Sequence, residues 1–168
     1  MTDTHAPPAA PAPEEGFLLP LGDEESDGFW EATAARELRV QSCAACGALR
    51  FPPRVMCPEC QSTERSWVAV SGRGTIWSFV VVHPPVLPAY APFTPFPVVT
   101  VTLEEKPSLR MVGNLIEGPG AAINSVDPAA IEIGEPVRVV FSPRRRPDGT
   151  DVYLPQWVRE PERISSSR

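Results

Sequence analysis

All four cysteines of this sequence lie in one stretch at the spacing of metal ligands: Cys43-Ala44-Ala45-Cys46-Gly47 and, after ten residues between Cys46 and Cys57, Cys57-Pro58-Glu59-Cys60. A C-x2-C turn aims two sulfurs at one point. Two such turns set face to face by a short hairpin form a tetrahedral S4 cage, the geometry Zn2+ takes in closed structural sites. Gly47 after the first pair and Pro58 inside the second suit the tight turns this needs. Two disulfides, a redox C-x2-C pair and four unrelated thiols are the competing readings, and a doubled pair with no cysteine left over favours metal over each of them. Iron with the same four ligands stays open beside zinc. Four thiolates with no open position make the role structural for either metal.

The rest of the chemical inventory is poor. Apart from His5 near the N-terminus, His83 is the only histidine, and no G-x-S-x-G, P-loop or dinucleotide fingerprint is present. A thiol nucleophile would require breaking the cage. Glu104-Glu105 reads as a solvated turn rather than an acid/base dyad, and His83 beside prolines as structural, although a single His could lend a proton to chemistry in a partner's site. No catalytic residue is therefore assigned. Arg144-Arg145-Arg146 is the one candidate ligand-binding run, able to grip phosphate or to stand as a solvated basic turn. The segment from His83 to Pro97 holds six prolines with Tyr90, Phe93 and Phe96. It is stiff and aromatic, either a packed cover over a barrel mouth or a wall for a partner or an acyl chain.

The elements that must position these residues are mostly strands. Twenty-two prolines and 11 glycines in 168 residues point to short strands and turns rather than helices. Asp27 can cap a helix through about Glu37, with Phe29, Trp30, Thr33 and Ala34 on one face; so short a helix must lie on its own barrel or on another chain. Leu38 to Ser42 then feeds the first knuckle, Leu49-Arg50-Phe51 returns, and Trp67 covers the metal site or its junction with the next domain. Beyond it, alternating runs place strands at about Trp67–Val70, Gly74–His83, Val98–Leu103, Ser108–Ile116, Val137–Ser142 and Val152–Trp157. Gly72-Arg73-Gly74 marks a bend and Asp127-Pro128-Ala129-Ala130 a helical turn. Pro147-Asp148-Gly149 closes the last hairpin, with the arginine run between its two strands. Five or so curled strands with a helical element in one connection fit a Greek-key OB-type barrel.

Charge is unevenly placed. The net charge is −6, but residues 1–27 carry seven acidic groups and no Lys or Arg, so the remaining 141 residues sum to +1. The body lacks the basic field that sequence-independent nucleic-acid binding demands. No apolar run reaches membrane-spanning length and the N-terminus has no signal-peptide pattern. The expectation is a cytoplasmic protein with reduced thiols and no membrane association. Residues 1–27 read as a disordered acidic, Pro-rich tail. The apolar Phe17-Leu18-Leu19-Pro20-Leu21 within it either packs on the protein's own surface or docks on a partner.

Taken together, Phe29-Trp30, Leu38-Arg39-Val40-Gln41, the two cysteine pairs, Phe51-Pro52-Pro53-Arg54, Ser71-Gly72-Arg73-Gly74-Thr75 and Ile133-Gly134-Glu135-Pro136-Val137 occur in the order of a known family. From about residue 28 to 158 the chain resembles the bacterial and archaeal proteins that join a rubredoxin-like zinc ribbon to an acyl-CoA-associated OB fold. The resemblance implies a mainly β protein: a short N-terminal helix with a rubredoxin-like zinc ribbon over 28–66, a five- to six-stranded OB-type barrel over 67–160, and a C-terminal tail over 161–168. It also implies structural Zn2+ on Cys43, Cys46, Cys57 and Cys60. Members of that family generally accompany thiolase-like proteins, including lipid-transfer-type homologues that act as aldolases on steroid side-chain CoA thioesters, and sometimes hydratases, and are regarded as non-catalytic or accessory subunits.

Three functions then compete. The first is an accessory subunit that activates or stabilises a thiolase-like enzyme in a hetero-oligomer, with a CoA thioester as ligand of the complex and Arg144, Arg145 and Arg146 as its binding residues. The second is an OB-fold nucleic-acid-binding module, which the fold and arginine run favour and the charge balance opposes. The third is a free-standing metal enzyme, disfavoured by a closed S4 site. The first accounts for most of the residues.

Overall fold

The computed structural model describes residues 17–160. The chain opens with an extended segment, residues 17–22, and a turn in which the Asp23 carboxylate accepts from the Ser26 amide and hydroxyl at 2.8 and 2.6 Å. The helix α1, Asp27–Ala34, starts there. The sequence points to Asp27 as the cap, but Ser26 holds that place and Asp27 sits in the first turn, where its charge favours the helix N-terminus. The expected tail to residue 27 is also too long. Its part over 1–16 lies outside the described residues, as does 161–168, whereas residues from Phe17 onward make specific contacts. α1 stops at Ala34 rather than near Glu37, because Arg36 takes a left-handed conformation (φ 60°) and the amides of Glu37 and Arg36 return to the carbonyls of Ala32 and Thr33. Those two bonds form a Schellman cap.

Three strands come next: β1 (Arg39–Cys43), β2 (Leu49–Arg50) and β3 (Arg65–Ala69), in the antiparallel order β2-β1-β3. The strand expected to open the barrel near Trp67 thus belongs to the ribbon. It runs straight out of the second knuckle and pairs with β1 along its whole length, from Cys43↔Arg65 to Arg39↔Ala69. The bend at Gly72 (φ +70°) then hands the chain to the second sheet. A Cβ there would fall 2.5 Å from Val139, so both the turn and the close approach require glycine.

The second sheet holds β4 (Arg73–Val82), β5 (Phe96–Leu103), β6 (Arg110–Asn114), β7 (Pro136–Arg145) and β8 (Asp151–Arg159), in the order β6-β5-β4-β7-β8. A parallel bridge between Leu115 and Trp157, with the Ile116 amide on the Trp157 carbonyl at 2.9 Å, joins the two ends of that order. This closure makes the five strands a barrel, and the order is that of an OB fold. An irregularity between Ile76 and Ser78 gives β4 an extra residue, Trp77, which bends it. The turn at Pro128–Ala130 forms where the sequence suggests, capped by the Asp127 carboxylate on the Ala129 amide at 2.9 Å.

One buried cluster runs through the whole structure. Alternate residues of β5 (Val99, Val101, Leu103) meet Ile76, Met111, Leu115, Val137 and Trp157 inside the barrel, and Phe29, Leu38 and Val40 of the N-terminal part belong to the same cluster. α1 is the wedge that joins them, packed on both β1 and β8. Phe29 meets Phe51 at 5.3 Å between ring centroids. Gly28 lies so close to Trp67 that a Cβ would fall 2.2 Å from the indole nitrogen. The apolar face of α1 is thereby used on the chain's own barrel and ribbon, and Trp67 sits at their junction, as its position suggests.

Candidate metal centre and the surface around the arginine run

Each cysteine pair folds into the same turn. The amide of Gly47 returns to the Cys43 carbonyl at 2.8 Å and that of Gln61 to the Cys57 carbonyl at 2.9 Å. Gly47 (φ 73°) and Gln61 (φ 62°) occupy the same left-handed position one residue beyond each second cysteine. Backbone pairs Cys43–Ala48 and Cys57–Ser62, at 3.0 and 2.8 Å, close the two turns. The first cysteine of each pair is buried and the second exposed.

The four sulfurs converge. Cys43 and Cys60 approach to 3.5 Å, Cys46 and Cys57 to 3.7 Å, and all four lie within 4.8 Å of one another. A tetrahedral zinc with bonds of about 2.3 Å sets its sulfurs roughly 3.8 Å apart, so the cage fits the ion with little adjustment. The backbone holds down the buried thiol of each pair, the Cys60 amide lowering Cys57 to about 6 and the Cys46 amide lowering Cys43, while the neighbouring sulfurs push Cys46 up to about 12 and raise Cys60. A disulfide reading is removed, since all four are free thiols.

Behind the cage lies a polar group that the sequence does not flag. Gln41 of β1 and Arg50 of β2 face each other in the ladder and are both buried. The Gln41 side-chain oxygen accepts from the Arg50 Nε, and from the Arg54 amide at 3.0 Å. One glutamine thus ties the hairpin to the Phe51-Pro52-Pro53-Arg54 link. The available signal was a polar residue between Val40 and Ser42 on a short strand, too slight to separate from an exposed position.

The arginine run is not the single basic turn that the sequence suggests. Arg144 and Arg145 belong to β7 itself, so their side chains alternate across the sheet. Arg144 is buried and donates to the Pro143 carbonyl at 3.0 Å. Arg145 is exposed and grips Asp151 with two bonds of 2.9 and 3.3 Å. Arg146 reaches the carbonyl of Pro20 in the N-terminal segment. The three do not converge on one point.

The stiff loop folds as a 3-10 helix over Pro88–Phe93, with Phe96 buried at its end. Phe17 stacks on Tyr90, ring centroids 4.4 Å apart and planes 10° from parallel, and tilts against Phe93 at 5.4 Å. The apolar N-terminal patch therefore packs on the protein's own surface. Its other half still faces solvent, with Leu18 and Leu21 exposed at 71% and 81%. His83 is exposed, and the Ser71 amide donates to Glu105 at 2.6 Å, so the acidic pair includes a structural member.

Residues 30–64 match the family model of the ChsH2 rubredoxin-like zinc ribbon domain, and residues 67–142 that of the ChsH2 C-terminal OB-fold domain. A DUF35 domain-containing scaffold protein of Methanothermobacter thermautotrophicus is 33% identical over 115 residues, 68% of this chain and 77% of that protein. The chain belongs to the ChsH2/DUF35 family. A solved structure, the Ltp2-ChsH2(DUF35) aldolase, contains a chain matched over 98% of its length and 84% of this one, with a TM-score of 0.69 and 33% identity. The 3-oxo-4,17-pregnadiene-20-carboxyl-CoA hydratase alpha subunit of Mycobacterium tuberculosis is 36% identical over 127 residues, 76% of this chain and 37% of that protein. The chain thus spans little more than a third of that relative. As a ChsH2/DUF35 protein it carries the zinc ribbon and OB fold in the family's order, which is the architecture its residues suggest. Among the described residues no helix is long and apolar enough to cross a membrane.

Proposed function

We propose that the chain is a non-catalytic accessory subunit that binds and activates or stabilises a thiolase-like, lipid-transfer-type enzyme acting on acyl-CoA thioesters, with retro-aldol cleavage in steroid side-chain degradation as the reaction served. The observation that carries this is the match along nearly the whole of one chain of the Ltp2-ChsH2(DUF35) aldolase. The match to the hydratase alpha subunit covers 37% of that protein and leaves most of it without a counterpart here.

In this reading Cys43, Cys46, Cys57 and Cys60 hold one structural Zn2+, whose binding energy is folding energy for a ribbon with little core of its own. The helix and ribbon, through β3 at Ala69, and the barrel from Arg73 onward act as one docking body. The protein works in the cytoplasm, where its thiols stay reduced. Of the run Arg144-Arg145-Arg146, which does not converge on one point, Arg146 is the member the CoA ester of the complex meets, with phosphate taking the place of the Pro20 carbonyl.

Co-expression with a thiolase-like protein, followed by size-exclusion chromatography and an aldolase or CoA-release assay, tests the assignment. A stable complex should form, with cleavage appearing only when both chains are present. A partner that is soluble and fully active by itself would overturn the reading.

A further inference from the structure

Residues 17–21 lie across the surface that the proposed CoA ester would use, and they are held there by few contacts. Phe17 stacks flat on Tyr90 and tilts on Phe93. The Pro20 carbonyl accepts from the Arg146 guanidinium. Leu18 and Leu21 point to solvent, so hydrophobic burial does little to hold the segment down. Just downstream the chain is tied by Arg65, which bonds the Glu25 carboxylate and the Glu24 carbonyl at 3.1 Å each. The segment is thus a strap anchored firmly at its C-terminal end and lightly along its length.

We propose that this strap is a displaceable cover over a binding surface for the adenine nucleotide end of a CoA thioester. The inference rests on the acyl-CoA reading above and adds regulation to that site. Phe17 presents a planar π-system to Tyr90, the contact an adenine ring makes on an aromatic side chain. The Pro20 carbonyl presents an oxygen to Arg146, the contact a phosphate makes. The three-residue step from Phe17 to Pro20 spans at most about 10 Å of extended chain, a reach similar to that from a purine to its phosphates. The replacement is favourable at the arginine, because a phosphate adds charge–charge attraction and can take the guanidinium fork with two oxygens, which a single neutral carbonyl cannot. Being tethered, the strap competes at an effective concentration of order millimolar. It lowers the apparent affinity for nucleotide by the fraction of time it is down.

The test uses the full chain, native and Phe17→Ala, titrated by calorimetry with CoA and with adenosine 3′,5′-bisphosphate. Both ligands should bind Phe17→Ala about tenfold more tightly than the native chain, as expected when a tethered competitor is loosened. Adding Tyr90→Leu or Arg146→Ala in that background should remove the gain. On the native chain, CoA should abolish the ring-to-ring NOE between Phe17 and Tyr90, whose centroids lie 4.4 Å apart. Equal affinity for native and Phe17→Ala, no binding to either, or binding with that NOE intact overturns the strap. So does inorganic phosphate competing as well as the nucleotide, because the surface then reads only an anion. Complex formation with the thiolase-like partner is scored separately. A complex that forms while these titrations fail removes the strap alone, and failure of the complex removes the accessory-subunit reading.

Discussion

Gln41 carries more of the ribbon than its size suggests. Its side-chain oxygen serves both the Arg50 guanidinium and the Arg54 amide, and Arg50 is only 5% exposed. Neither Nη group of Arg50 has an acceptor among the described residues, so the Gln41 oxygen is the acceptor that the buried charge depends on. Leaving a buried donor without its acceptor costs about 1–3 kcal/mol, and more when the donor is charged. Gln41→Leu should therefore lower stability by an amount in that range, measured by urea unfolding of the zinc-loaded protein, while Gln41→Glu should retain most of it. A neutral outcome for Gln41→Leu would show that Arg50 finds another acceptor. Gly28 acts by absence. With the Trp67 indole 2.2 Å from where a Cβ would stand, Gly28→Ala must push α1 off the ribbon. Overpacking of this kind costs about 1–3 kcal/mol, readable as a fall in thermal midpoint and a change in Trp67 fluorescence.

At the scale of elements, the ribbon is the piece that needs its metal. β2 is two residues long and β1 and β3 are five each, a sheet too small to hold itself. Zinc removal by a strong chelator, or Cys46→Ser, should bring amide exchange in β1 and β3 close to that of an unfolded chain, and elemental analysis should give one zinc per native chain. Iron in that analysis, or protection that survives chelation, would contradict the structural-zinc assignment. These cysteines were legible because chemistry fixes their spacing. The barrel strands were legible too, since alternation marks Val99, Val101 and Leu103 as one face. The allegiance of β3 was not. Arg65–Ala69 has the same local pattern whichever sheet it joins, and its partner β1 lies more than twenty residues back. The arginine run was misplaced for a related reason: three like charges look like a turn, yet β7 extends through Arg145 because it pairs with Asp151 across the hairpin. The Phe17–Tyr90 stack depends on two segments remote in sequence, and no local signal chose between packing and docking.

For the molecule as a whole, the sequence beyond residue 27 is close to neutral, and within the arginine run Arg145 and Arg146 are each engaged by another part of the chain. An OB barrel that gripped single strands would need a continuous basic groove. Fluorescence titration with single-stranded DNA or RNA should show only weak binding that vanishes between 50 and about 200 mM salt. Submicromolar affinity that resists salt would promote the nucleic-acid alternative over the accessory subunit. The order of assembly is set by where α1 sits. It is the first element of the described chain and it rests on β8, the last, with Arg36 lying 5.5 Å over the Tyr153 ring. A ribosome releases the helix long before the strand it packs on. Phe29 must therefore wait, uncovered, until the final hairpin emerges, and contacts that join distant parts of a chain close slowly. During synthesis this protein passes through an interval in which its ribbon can load metal but its helix has nowhere to rest, and that interval is when a chaperone or an early-bound partner would have the most to protect.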